Sequence, residues 1–274
     1  MVSIVIWSAL IILLYYTIVY VLAELARNYS LADVLWGFGF VTLAVALIFI
    51  RHNTVGFIAP AASFVTLYIM LWGLRLFHYL GKRNEKFGED FRYTALRRKL
   101  GQWMPRLSAF ARIFMVRALL MFVVALPIVM VHAYPTDTEV FQNLDARGQI
   151  GIAIGGGLFL AGYLLEVIAD AQLWTFRRRL ENRGRIMKIG LWRYSRHPNY
   201  LGEIILWWGI FITAYTNTQS IGLIAVLSPL LVTVRLLFVS GIPAVERRLN
   251  DSKEYRAYRK NTSVLIPWPP KKNR

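Results

Sequence analysis

Residues Gly190 to Tyr215 read GLWRYSRHPNYLGEIILWWGIFITAY, a basic, aromatic, proline-punctuated ramp that runs into an apolar stretch. Pro198 suits the first position of a helix, where its missing N–H costs nothing. The N–H groups of that first turn, with the helix dipole behind them, then lie close to Arg193, Arg196 and His197. An anion-binding threshold at a membrane surface fits this pattern. Trp, Tyr and Arg also serve as plain interfacial anchors. Anchors alone do not call for Asn199 and Glu203 one turn deeper in the apolar segment, where polar groups are expensive.

Working outward, similar apolar stretches recur along the 274 residues, of which 57% are hydrophobic. Several run for about twenty residues, enough to cross a bilayer. Crossings are expected near 3–25, 31–50, 56–80, 110–133, 149–176, 200–216 and 219–241. The first lacks a basic leader and a small-residue cleavage site, so it reads as a retained span. The fold expected is an all-α polytopic membrane protein of about seven transmembrane helices. It forms one integral membrane domain over 1–274, with 1–110 on the substrate side and 149–268 as a cofactor-binding core.

The net charge of +17 is localised. Lys82 to Arg112 holds nine Lys/Arg, Arg177 to Arg196 eight and Arg247 to Arg274 nine, together 26 of the 32. With seven crossings all three segments fall on one side, the positive-inside pattern. That places the C-terminal helix in the cytoplasm and argues for lipid or an anionic cofactor over nucleic acid. The segment Gly81 to Ser108 is expected to form a short cytoplasmic helix, with Trp103 and Met104 dipping into the interface.

Cysteine is absent, which excludes disulfides and thiolate chemistry. Four scattered histidines argue against a metal site. No GxGxxG follows a strand, and Gly155 to Gly157 inside an apolar helix reads as a close-packing element.

Ionisable residues within the spans are functional candidates by default. Asp33 lies near the start of the second span, and Arg75, His78 and Tyr79 close the third. The fifth span carries EVIADAQLWTFR, Glu166 to Arg177. Glu166 and Asp170 share one helical face, with Arg177 two turns further toward the basic side. A ligand with a polar ring or ribose inside and phosphate at the rim suits that order, as does a structural ion-pair ladder. Asn199 and Glu203 repeat the pattern on the sixth span, and Arg235 lies in the seventh.

These segments resemble the steroid 5-alpha-reductase and sterol-reductase superfamily, in particular its bacterial DUF1295 (steroid-dehydrogenase-like) branch. The resemblance rests on E-x3-D-x-Q-x3-FR at Glu166 to Arg177 and RHPNY-x-GE at Arg196 to Glu203. Glu246, Tyr255, Tyr258 and Ile266-Pro267 follow the same pattern. Upstream, Asp33-x2-Trp36-Gly37, Arg75 to Tyr79 and Gly88-Glu89-Asp90-x-Arg92-Tyr93 agree with it. Trp72 stands at the position matching the reductases' N-terminal tyrosine, with Tyr79 two turns further on.

The resemblance implies an NADPH-dependent membrane reductase that saturates a C=C bond conjugated to a carbonyl in a lipophilic, steroid- or isoprenoid-like substrate. Asp170 and Asn199 would contact the polar head region of NADPH. Arg177 and Arg193 or Arg196 would take phosphates, and Glu166, His197, Tyr200, Glu203, Arg235, Glu246 and Tyr258 would complete the pocket. Asp33, kept protonated by burial, and Tyr79 would be the catalytic hydrogen-bond donors.

Membrane methyltransferases that use S-adenosylmethionine also carry an RHP-x-Y-x-G segment, which leaves an isoprenylcysteine- or phospholipid-type methyltransferase as an alternative. A non-catalytic lipid-binding membrane protein is the third reading. Partners expected are a lipophilic small molecule and membrane lipids, with no obligate protein partner. The location expected is the bacterial inner membrane, or the endoplasmic reticulum in a eukaryote.

Overall fold

A computed structural model describes residues 2–90, 93–94, 105–134 and 146–270. Among them the architecture is all-α: the regular elements are helices, and the lone β-type contact is an isolated parallel bridge between Ser195 and Ser263. The helices are α1 (Val2–Leu25), α2 (Leu31–Val34), α3 (Trp36–Val55), α4 (Pro60–Phe87), α5 (Pro105–Ala109), α6 (Val116–Val124) and α7 (Leu126–Ala133). Then come α8 (Ala146–Arg178), α9 (Pro198–Tyr215), α10 (Leu227–Val234), α11 (Ile242–Leu249) and α12 (Lys253–Asn261). π-Helical turns at Phe110–Met115 and Arg235–Val239 precede α6 and follow α10.

Six described helical stretches are long and apolar enough to cross a membrane: Val2–Leu25, Trp36–Val55, Pro60–Lys86, Arg106–Val124, Ala146–Arg178 and Ile221–Leu249. The segment expected as the remaining crossing is present as α9, 18 residues long. It falls outside the six because Pro198, Asn199 and Glu203 dilute its apolar character. The membrane reading is supported by the faces of α1. Ile4, Ser8, Ile12, Tyr16, Val19 and Ala23 form a buried stripe, while Ile6, Leu10, Leu13, Leu14, Ile18 and Val21 are exposed. A helix apolar all round, with its outer face uncovered by protein, is a helix solvated by lipid.

The chain divides into two compact units. The first comprises Met1–Ile152 and Thr213–Ser228. Here α3 packs along α4, and α1 packs on α2, α3, α6 and α7. Trp36, Phe40 and Trp72 form an edge-to-face aromatic ladder in its core, with centroids 5.3 and 5.6 Å apart. Trp72 is therefore a packing residue of this core. Trp103 and Met104, expected to dip into the interface, lie outside the described residues.

The second unit comprises Ala153–Ile212 and Pro229–Arg274. Two glycine pairs set the approach of α8 and α9. A Cβ on Gly202 would lie 2.6 Å from the Gly162 carbonyl oxygen, and one on Gly209 would lie 2.5 Å from that of Gly155. No side chain fits there, so the backbones cross in direct contact, as small residues permit in membrane helices. The close packing expected of Gly155 to Gly157 is met at Gly155, whereas a Cβ on Gly157 would meet nothing within 4 Å.

Candidate functional site

In the second unit the glycine crossing governs the polar residues. Glu166 and Asp170 lie on the buried side of α8, 4% and 6% exposed. The close approach at Gly202 brings the first turn of α9 against that face. Asn199 donates from Nδ2 to Asp170 Oδ1 at 3.1 Å. Its own Oδ1 is buried and has no hydrogen-bond partner among the described residues. Glu203 and Tyr200, both half-buried, follow on the same two turns of α9. Arg177 and Arg193 are exposed, with the Arg193 guanidinium 5.9 Å from the Tyr194 ring centre. Arg235 opens the π-turn and donates from Nε to Ser240 Oγ at 3.3 Å.

The rest of the fifth-span motif builds the turn before α9. Gly190 adopts φ +61°, a left-handed conformation that glycine takes without penalty, and a Cβ there would strike the Gln172 side chain at 2.5 Å. Gln172 Oε1 accepts from the Leu191 N–H at 2.9 Å, and Trp192 Nε1 donates to the Ala169 carbonyl at 3.0 Å. Phe176 packs against the cluster of Ala169, Met187 and Trp192.

Of the residues expected to hold cofactor, Arg196, His197 and Glu246 engage one another, and Tyr258 bonds to the backbone beside them. Arg196 is buried: its Nε donates to Glu246 Oε1 at 2.8 Å, and Nη1 donates to the carbonyls of Arg259 and Thr262 at 2.9 and 2.8 Å. His197 Nε2 meets the same Glu246 oxygen at 3.3 Å, and its ring stacks on Tyr200. Tyr258 donates to the Trp192 and Ser195 carbonyls. Burial pushes the Tyr258 phenol up, which keeps it a donor at ordinary pH. Arg196, expected to take phosphate, is here held by a carboxylate and two backbone carbonyls. A buried guanidinium already shared between a carboxylate and two carbonyls is a clamp that docks α11 and α12 on the RHP segment.

Burial also holds the His197 imidazole below its ordinary pKa, against the opposing pull of Glu246. The charge of this cluster therefore resides on the Arg196–Glu246 pair.

A separate polar cluster lies in the first unit. Asp33 forms an ion pair with Arg117, and Arg117 donates to the Tyr93 hydroxyl. The guanidinium sits 5.9 Å from the ring centres of both Trp36 and Tyr93, within cation–π range. Tyr16 is fully buried nearby, close enough to feel the charges of Arg117 and Asp33, and its hydroxyl has no hydrogen-bond partner among the described residues. Glu89 and Asp90 tie the chain before Tyr93 to Tyr29 and Ser30. Glu89 accepts from the Tyr29 N–H at 2.7 Å, the Asp90 N–H donates to Ser30 Oγ at 2.7 Å, and Arg83 pairs with Asp90 at 2.9 Å.

Asp33, expected as a hydrogen-bond donor, is held in the ion pair with Arg117. Tyr79 is half-buried on α4, two residues before Gly81, whose Cβ position lies 3.9 Å from Val34 of α2. Arg117 was missed by sequence reasoning, although an arginine within an apolar span is itself the signal.

These features define an all-α, multi-pass membrane protein with buried acid–amide and acid–guanidinium pairs set among its helices. The chain belongs to the family described as protein of unknown function (DUF1295), which it matches over residues 19–262. It is 30% identical over 117 residues to 3-oxo-5-alpha-steroid 4-dehydrogenase 1 of Macaca fascicularis, covering 42% of this chain and 40% of that protein. It is 40% identical over 80 residues to methanethiol S-methyltransferase 1 of Bradyrhizobium diazoefficiens, covering 28% and 25%. An uncharacterised protein of Schizosaccharomyces pombe is 26% identical over 216 residues, 71% of this chain and 60% of the relative. The chain thus spans less than two thirds of each relative. No solved structure matches. The steroid-reductase resemblance read from the sequence holds.

Proposed function

We propose that the chain is an NADPH-dependent membrane reductase acting on a C=C bond conjugated to a carbonyl in a lipophilic substrate. The observation that carries this reading is the Asn199–Asp170 hydrogen bond beside Glu166, with the buried Asn199 Oδ1 left available to a ligand donor. Such a set fits the hydrogen-bonding head of a nicotinamide dinucleotide, and the exposed Arg177 and Arg193 fit its phosphates. When bound, NADPH supplies the hydride. Asp170 and Asn199 orient its polar portion, while Arg177 and Arg193 hold the anionic portion by charge.

In the first unit, Asp33 fixes the guanidinium of Arg117, and Arg117 with the phenols of Tyr93 and Tyr79 supplies hydrogen-bond donors. Donors aimed at a carbonyl oxygen stabilise the negative charge that grows there, typically by a few kcal/mol each. Saturation of the double bond would take the hydride that NADPH supplies at the β-carbon and a proton from water at the α-carbon, leaving NADP⁺. The basic segments support a cytoplasmic C-terminus, with the bacterial inner membrane as its setting.

A second reading, an S-adenosylmethionine-dependent methyltransferase, is favoured by the 40% identity with the methyltransferase over 80 residues. Equilibrium binding to the purified chain separates the two. Saturable NADPH binding that Asp170→Ala abolishes is the expected result. Binding of S-adenosylmethionine with none of NADPH overturns it.

A further inference from the structure

The C-terminal helix α12 has two unlike faces. Tyr255 and Tyr258 are buried against the RHP segment, whereas Lys253, Arg256, Ala257 and Lys260 are exposed and, with Asn261, line a surface hollow. The cations stand at i, i+3 and i+7, one side of a helix, with the small Ala257 between them as a floor. Of the nearby acids, Glu254 and Glu246 are engaged elsewhere, and Asp251 is exposed just before α12. Glu254 pairs with Lys188 at 2.7 Å, and Glu246 pairs with Arg196 and Arg259. No ion pair joins Lys253, Arg256 or Lys260 to a carboxylate among the described residues. The hollow is therefore a cationic surface, lined by three cations and by no carboxylate.

The chain that leaves this helix decides between a soluble anion and a lipid. Ile266 and Trp268 are 68% and 70% exposed, and Val264 is exposed as well. The Trp268 N–H donates to the Tyr194 carbonyl at 3.0 Å, which fixes the tryptophan beside an exposed tyrosine four residues before α9 begins. A polypeptide end that displays Ile and Trp next to Tyr, at the start of an apolar helix, suits the headgroup layer of a bilayer.

We propose that the Lys253, Arg256 and Lys260 face of α12 is a docking site for anionic phospholipid. The headgroup phosphate occupies the hollow, and Ile266 and Trp268 anchor the adjoining segment in the interface. The proposal goes beyond the reductase reading and does not depend on it.

The test is native mass spectrometry of the full-length, detergent-purified chain titrated with phosphatidylglycerol or phosphatidylcholine. Retention of phosphatidylglycerol over phosphatidylcholine is expected. Each of Lys253→Gln, Arg256→Gln and Lys260→Gln weakens it about fivefold, the factor that corresponds to one cation near an anionic surface. Added salt strips the lipid from the unmutated chain, a readout independent of variant folding. The proposal is overturned if the triple variant retains phosphatidylglycerol as the native chain does, or if salt has no effect. Displacement of the lipid by inorganic pyrophosphate also overturns it, because the hollow then belongs to a soluble phosphate ligand. NADPH binding, followed in parallel, is expected to be unchanged in the triple variant.

Discussion

Asn199 reaches Asp170 across the α8/α9 crossing at 3.1 Å, one turn from the point where Gly202 touches the backbone of α8. The hydrogen bond and the glycine contact are one device. The polar pair forms because no side chain separates the two helices.

Replacing Asn199 with Ala removes the donor and leaves the Asp170 carboxylate buried without it. A hydrogen bond to a charged group contributes about 1.5–3 kcal/mol. Thermal unfolding in detergent is expected to register a loss of that order. NADPH affinity is expected to fall at least tenfold, measured by equilibrium binding.

Gly202→Ala places a methyl 2.6 Å from the Gly162 carbonyl oxygen, so α8 and α9 must separate. Overpacking of this kind costs about 1–3 kcal/mol. Gly157→Ala, where nothing lies within 4 Å, is the matched control and should leave the melting temperature nearly unchanged. Equal effects of the two substitutions would dismiss the close crossing.

Glu246→Gln leaves the buried Arg196 guanidinium without its counter-charge. Breaking one side of a buried pair costs about 3–5 kcal/mol. Because Glu246 fixes the guanidinium that docks α11 and α12, limited proteolysis should cut between Leu249 and Thr262 much faster in this variant than in the native chain.

Stability should fall on acidification. The folded His197 imidazole is held below its ordinary pKa, so as pH drops through about 6.5 the unfolded chain takes up a proton first. The stability that neutral His197 contributes is present above that value and is lost below it, down to the folded pKa. Melting temperatures from about pH 8 to about pH 5 should show a shallower acid loss in His197→Gln than in the native chain. Parallel curves would remove His197 as the cause.

Arg117→Gln and Asp33→Asn should each destabilise the first unit, and the double variant should be less damaged than the sum of the two. Partners in one buried pair couple by about 0.5–3 kcal/mol in such a cycle. Additive effects measured by chemical denaturation would show that the pair is not coupled.

The sequence alone determined the all-α membrane architecture and where polar groups enter the spans. Hydropathy over twenty residues and the i, i+4 spacing of Glu166 with Asp170 and Asn199 with Glu203 are local properties, written in the chain. The convergence of Asp170 with Asn199 was legible because both motifs point their polar residues to one face of adjacent spans. Partnership was not legible. Arg196, Arg193 and Arg177 look alike as basic residues at a rim, yet the fold buries Arg196 between Glu246 and two carbonyls and leaves the other two exposed. Asp33 likewise reads as a lone acid until the fold sets Arg117 against it, 84 positions along the chain. Charge pairing acts over a few ångströms in space, and only the tertiary structure brings distant segments within that range.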